Sequence, residues 1–337
     1  MQSKFRHHLA NSSIARGAAF PLRAMIVARY DARIIGRSVD WLLHGRETTN
    51  FTYDLSPLNR DQLSWFVSAI SGAEVGQVRV WMEELENDHD LSTHLTNRLS
   101  SGPRRGISPT EPHWARRLGW YALVRAIQPD NIVETGTHLG LGSCAIAAAL
   151  LRNGHGRLTT IDVDPEAGYL IGGRWADVIE RRTGSSIDVL AGLKDVDIFL
   201  HDSLHTYGYE SKELAAVEAN LREDALVLSD NSHDSAALAD WAERTGRQYL
   251  FFSERPNDHW WPGDGIGAAW VRAKRGDGPS RRAGRGERHA AGEEAAGASG
   301  STRGAVPVGQ VGSILEDFPV PVGAVAANGV AKEVLDT

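Results

Sequence analysis

The sequence predicts an α/β fold, a mostly parallel sheet of seven strands with an antiparallel final hairpin, preceded by a small helical N-terminal region. Three observations predict it. The run Asn131-Ile-Val-Glu-Thr-Gly-Thr-His-Leu-Gly-Leu-Gly-Ser-Cys144 reads as a strand, a glycine loop and the start of a helix. The segment Leu158-Thr-Thr-Ile-Asp-Val-Asp-Pro165 follows as a second strand ending in acidic residues. From Ile132 onward, short β-rich runs alternate with helix-length stretches, the mark of a parallel sheet covered on both faces. Strand, glycine loop, helix, strand and acid together make the first half of a Rossmann-like nucleotide site.

Each element has its own signal. Residues 1–49 read as a basic arm or helix, because Lys4, Arg6, Arg16, Arg23 and Arg29 occur among the first thirty residues without an Asp or Glu. That pattern only superficially resembles an organellar transit peptide, since Ala32 to Leu43 continues as an amphipathic stretch. Residues 50–112 read as a helical cap and linker. Ser56-Pro57 is a helix start, Asp61 to Ile70 carries apolar residues at helical spacing, and Val75 to Leu85 is a second helix. Arg98 to Pro112, rich in Ser, Gly and Pro, reads as the linker into the main domain at 113–273, which opens with a helix from His113 to Arg125.

Within that domain the strands are Ile132–Thr135, Leu158–Asp162, a weak one near Trp175–Ile179, Val196–Asp202 and Ala225–Asp230, then Gln248–Ser253 and Gly267–Arg272 after a helix at Ser235–Thr245. No helix-length segment separates the last two, so they must pair antiparallel. All ten tryptophans lie between Trp41 and Trp270, and Phe318 is the one aromatic residue beyond them. Residues 274–337 are therefore expected to be a disordered tail, most clearly over 276–305, where too little apolar surface exists to offset the entropy of ordering.

Composition narrows the class of function. A net charge of −7 over 337 residues gives no electrostatic footprint for nucleic acid. The lone cysteine, Cys144, excludes an internal disulfide framework and sits in an Ala-rich run that reads as a buried helix. No apolar run approaches the ~18 residues of a membrane span. The default is a cytoplasmic protein acting on a small molecule, with self-association left open.

Ligands of an open α/β sheet bind outside the carboxyl ends of its strands. Glu134, Asp162, Asp202 and the pair Asp230-Asn231 all fall there. The glycine spacing is G-x-x-x-G-x-G through Gly136, Gly140 and Gly142, with His138 where a dinucleotide fingerprint needs glycine, which argues against a nicotinamide cofactor. Period-two alternation puts His201 and Asp202 on opposite faces, so only one of them readily faces the site. Asp202, Asp230 and Asn231 offer three oxygen ligands from two strand ends, a set that suits Mg²⁺. The alternative for Asp230-Asn231 is a turn or helix cap before Ser235.

These motifs resemble class I S-adenosylmethionine-dependent methyltransferases of the small-molecule O-methyltransferase type. The resemblance implies that S-adenosyl-L-methionine lies over Gly136, Thr137, Gly140 and Gly142, with Glu134 beside its methionyl end. It further implies that Asp162 binds the ribose hydroxyls, and that Ser185 and Ser186 lie against the adenine. Asp202, Asp230 and Asn231 resemble the metal site of catechol O-methyltransferase-like enzymes, with Asp202 also available to the cofactor or substrate. Those enzymes keep a lysine base three residues beyond the first metal aspartate; here His205 stands in that place, a credible general base near neutral pH. His233 and His259 are rival candidates. Trp260 or Trp261 would form a substrate wall.

The implied reaction is methyl transfer to a hydroxyl of a sugar, polyketide or phenolic metabolite, with Mg²⁺ assistance. Other readings are a metal-independent methyltransferase of the same fold, a non-catalytic cofactor-binding scaffold, and a nicotinamide-dependent oxidoreductase. A nucleic-acid amino-methylating enzyme would carry an Asx-Pro-Pro-aromatic tetrapeptide where this chain has Asp202-Ser-Leu-His205.

Overall fold

The computed structural model describes residues 17–48 and 51–271. The expected tail at 274–337 and the first sixteen residues of the N-terminal arm, with Lys4, Arg6 and Arg16, lie outside them. Helix α1, Phe20–His44, is twice the length of the amphipathic stretch expected there, and none of its side chains is buried. Toward its end, Arg37 ion-pairs with Asp258 at 2.9 Å, and the Trp41 ring lies 5.4 Å from Phe51 and 5.3 Å from Trp260.

Three helices follow: α2 at Pro57–Ser71, α3 at Val75–Glu86 and α4 at His89–Ser101. Each buries one stripe at helical spacing, as in Leu63, Phe66, Val67 and Ile70, then Val78, Met82 and Leu85, then Leu91, Leu95 and Leu99. The last stripe carries α4 into the expected linker. Its start is capped by Asp88, which accepts the Leu91 N–H at 3.0 Å.

Helix α5 spans Arg117–Ile127 and so begins four residues later than expected, because Ala115 takes φ +45°, a value incompatible with a continuing right-handed helix. Then come β1 (Asn131–Thr135), α6 (Leu141–Asn153) and β2 (Arg157–Asp162), all within a residue or two of expectation at the strands. The third strand was expected too early. Residues Gly173–Val178 form a 3₁₀ turn that buries Trp175, and β3 runs from Ile179 to Thr183. This strand is an edge, Ile-Glu-Arg-Arg-Thr, whose polar sequence hides it from a hydrophobicity reading.

A short helix α7 (Ser186–Leu190) precedes β4 (Val196–His201), α8 (Tyr207–Glu218), β5 (Leu221–Asp230), α9 (Ala237–Thr245), β6 (Gln248–Ser253) and β7 (Gly265–Trp270). The sheet order is β3-β2-β1-β4-β5-β7-β6. The first five strands are parallel, and β7 runs antiparallel to both β5 and β6. The final strand thus inserts between its two neighbours instead of extending the edge. It can do so because Gly267, Ala268 and Ala269 are small, and a Cβ on Gly267 would stand 2.4 Å from Ser232 Oγ.

The sheet is packed on both faces. On one face lie Val133, Phe199, Val227, Leu238 and Trp241. On the other, Ile132, Leu200 and Leu228 join α5, α6 and the three cap helices in one continuous cluster that includes Leu63, Met82, Leu95 and Trp120. Helix α6 is buried from Leu141 to Leu150, with Cys144 in its first turn and its thiol pushed up to about 12 by burial, so the cysteine is a packing residue. No helix among the described residues is long and apolar enough to cross a membrane.

Candidate active site

The sheet order reverses direction between β1 and β4, which opens a crevice at their carboxyl ends. The glycine loop after β1 forms its floor. Gly136 adopts φ +88°, and a Cβ there would lie 1.8 Å from the Asp202 carbonyl oxygen. Glycine at 136 therefore lets the loops after β1 and β4 touch, which brings Asp202 to the glycine loop. Gly142 serves a second close approach, since a Cβ there would meet the Trp120 ring at 2.8 Å and Glu134 Oε1 at 3.1 Å.

Glu134 is buried to 1% exposure beneath this loop. It accepts hydrogen bonds from the hydroxyls of Ser143 and, at 2.7 Å, Thr160. Burial pushes its carboxyl up to about 7 in spite of those bonds. Thr137 is drawn into the same set, its hydroxyl 2.7 Å from that of Thr160. Asp162 is partly exposed and braces the loop, accepting the His138 N–H and the Asp164 N–H at 2.9 Å each. Its position at the strand end is the expected one, with part of its acceptor capacity spent on the backbone.

The two serines after β3 separate. Ser185 is exposed, whereas the Ser186 hydroxyl turns inward to Glu213 and lies 3.0 Å from Tyr209 Oη. Glu213 also binds His201 at 2.6 Å, Thr135 at 2.8 Å and Ser203 at 2.9 Å. His201 is thus the inward member of the pair and Asp202 the one left partly exposed at the crevice, as alternation requires.

Asp202, His205 and Asp230 each bring one ligand atom into a group whose members lie within 4.8 Å of one another. His205 Nε2 is 3.8 Å from Asp202 Oδ1. Burial, and next the neighbouring Asp230, hold the Asp202 carboxyl well above the usual carboxylate range. Against its own burial, Asp230 is held below that range by Arg116, followed by His205 and Asp202. Asn231 adopts φ +53° in the turn after β5, so the turn and the site are two uses of one residue. Its Oδ1 is buried without a hydrogen-bond partner. Two touching carboxylates and an orphaned amide oxygen, with an imidazole beside them, are a set that fits a divalent cation. Of the rival histidines, His233 is exposed beside Asp234, and His259 packs among Phe51, Tyr53 and Trp260.

Several residues of the site carried no signal in the sequence. Arg116, at 6% exposure, ion-pairs with both carboxylate oxygens of Asp230, with Glu254 at 2.9 Å and with Asp264 at 3.4 Å. Tyr53 donates to Glu254 at 2.8 Å. Trp260 and Trp261 are both half-buried, sharing Phe51 at 5.2 and 5.4 Å, and form the aromatic wall beside this network. Only Asp230, an acidic residue closing an apolar strand, could have hinted that a buried cation was needed.

Residues 133–232 match the family model described as a methyltransferase domain. This part of the chain is a methyltransferase domain. The match runs from β1 through β5 to Ser232, so it takes in Glu134, the glycine loop, Asp162, Asp202, His205, Asp230 and Asn231. The sheet that carries this domain is the Rossmann-like one that the sequence predicts. Among solved structures, the methyltransferase is similar to a putative O-methyltransferase from Klebsiella pneumoniae at 21% identity, covering 56% of this chain and 91% of that one with a TM-score of 0.42. The O-methyltransferase TomG from Streptomyces achromogenes gives 21% identity, 56% and 91% coverage and a TM-score of 0.40. An O-methyltransferase from Bacillus cereus gives 17%, 58%, 100% and 0.41. A comparison with curated proteins found no match.

Proposed function

We propose that the methyltransferase transfers the methyl group of S-adenosylmethionine to a hydroxyl oxygen of a small molecule, with a divalent cation held by Asp202, Asp230 and Asn231 and with His205 as the general base. One observation carries this reading: Asp202, His205 and Asp230 converge within 4.8 Å at the ends of β4 and β5, beside the loop that Gly136 brings into contact with Asp202. Methyl transfer from a sulfonium is an in-line displacement, so the hydroxyl must lose its proton as the oxygen meets the methyl carbon. His205, 3.8 Å from Asp202, would take that proton, with the carboxylate stabilising the imidazolium. A bound Mg²⁺ would lower the hydroxyl's pKa and fix its oxygen. Trp260 and Trp261 would form the wall of the acceptor site. A sugar, polyketide or phenolic hydroxyl is the class of acceptor we favour.

A second reading has a specific observation behind it. Arg116 already pairs with both oxygens of Asp230, which supplies in a guanidinium much of the positive charge that a cation would bring. On that reading transfer is metal-independent, and Asp202 contacts cofactor or acceptor directly.

Activity with and without excess EDTA distinguishes the two. Loss on chelation and recovery with Mg²⁺ are expected, and full activity in EDTA eliminates the metal. His205→Ala is expected to keep S-adenosylhomocysteine affinity while losing about 10²–10⁴ in turnover, the usual worth of a positioned base. Unimpaired turnover would transfer the role to another group.

A further inference from the structure

Arg116 and Arg117 are adjacent in sequence and opposite in circumstance. Arg116 has three carboxylates as partners. For Arg117, no carboxylate oxygen among the described residues lies within ion-pair distance, and its Nε is buried without a hydrogen-bond partner. Its guanidinium lies 5.8 Å from the centroid of the Trp120 ring. The edge of that ring is the group that a Cβ on Gly142 would strike, next to Glu134 Oε1. Arg117 is thus near the glycine loop, and it interacts electrostatically with both Glu134 and Asp202 without pairing with either.

Glu134 is its mirror image. It is a buried carboxyl whose hydrogen bonds come from neutral hydroxyls and which has no cation among the described residues within ion-pair distance. Burying a charge without a partner is costly, and a group of each sign near one glycine loop, not ion-paired with each other, is complementary to a zwitterion. S-adenosylmethionine carries one such group, its α-amino acid end, and has a single carboxylate. We infer that Arg117 binds the carboxylate of the methyl donor's amino acid end, opposite the ammonium that faces Glu134. This inference rests on the donor assignment above. A guanidinium offers a planar fork that matches a carboxylate with two parallel N–H donations, so the contact also fixes the direction in which the sulfonium points. Burial, followed by Arg116, holds the Arg117 guanidinium below its ordinary range, and an anionic ligand would relieve both effects.

The test uses calorimetry of the full chain with two probes, S-adenosylhomocysteine and its decarboxylated analogue S-adenosyl-3-thiopropylamine, which keeps the ammonium and lacks the carboxylate. Wild type is expected to prefer S-adenosylhomocysteine, and Arg117→Gln to lose on the order of 10- to 100-fold of that affinity while binding the analogue as wild type does. Arg117→Lys, which keeps the charge without the fork, is expected to fall between them. Equal weakening of both probes would make Arg117 a structural residue and overturn the inference. Unchanged affinity for both would overturn it too, leaving the guanidinium to the acceptor. If wild type binds neither probe, the donor assignment itself falls, and that control is read before any variant.

Discussion

At the scale of single residues, Glu134 shows how burial converts an acidic side chain into a pH-dependent term. Its carboxyl titrates at about 7 in the folded chain against the usual 4.5, so the stability linked to it is fully present below 4.5 and is lost as pH rises through 7. With ~1.4 kcal/mol for each pKa unit, Glu134→Gln should gain about 3 kcal/mol on wild type between pH 4.5 and 8 in the absence of ligand. Urea unfolding at a series of pH values measures this. A constant difference between the two proteins across that range would show that Glu134 is solvated or already paired. The strand-end position of Glu134 was legible in the sequence. Its partners Ser143 and Thr160 were not, because each lies on a different element and only packing makes them neighbours.

At the scale of elements, α1 and α2 make a contrast. Helix α2 is held by a buried stripe, and Leu63 closes on Gly119 of α5 so tightly that a Cβ there would lie 2.8 Å from Leu63 Cδ1. Helix α1 has equally apolar residues, Met25 and Ile35 among them, yet these are about 60% exposed. Replacing Met25 and Ile35 together by serine should change the unfolding free energy by less than about 0.5 kcal/mol, as for exposed sites in general. A large fall in the urea midpoint, or one that depends on protein concentration, would show that the face is covered in solution. Periodicity predicted both helices, but which of them buries its face depends on what lies opposite. The same limit explains the late start of α5. Nothing local in His113-Trp-Ala-Arg116 forbids a helix, and it is the Arg116 N–H bonding Glu254 at 2.8 Å, with Ala115 in the left-handed region, that ends the turn before it.

At the scale of the whole molecule, Arg116 ties together parts far apart in sequence: Asp230 at the end of β5, Glu254 after β6 and Asp264 before β7, with Tyr53 of the cap region on Glu254 and Asp264 as well. Arg116→Met would leave Glu254 and Asp230 buried without their cation. A cost of about 3–5 kcal/mol is expected, as for breaking a buried pair from one side. A urea midpoint within experimental error of wild type would show that water or another cation replaces the guanidinium. By itself the sequence determined the α/β class, the strand ends that carry acid, the glycine loop and the antiparallel finish, because these depend on local periodicity and on residue types at fixed spacing. Only the tertiary structure decided that β7 lies inside the sheet, that Ser186 faces Glu213 and that two consecutive arginines have opposite fates. Those outcomes depend on which charges and side chains meet across hundreds of residues, and the compensation of buried charge is a property of the assembled interior.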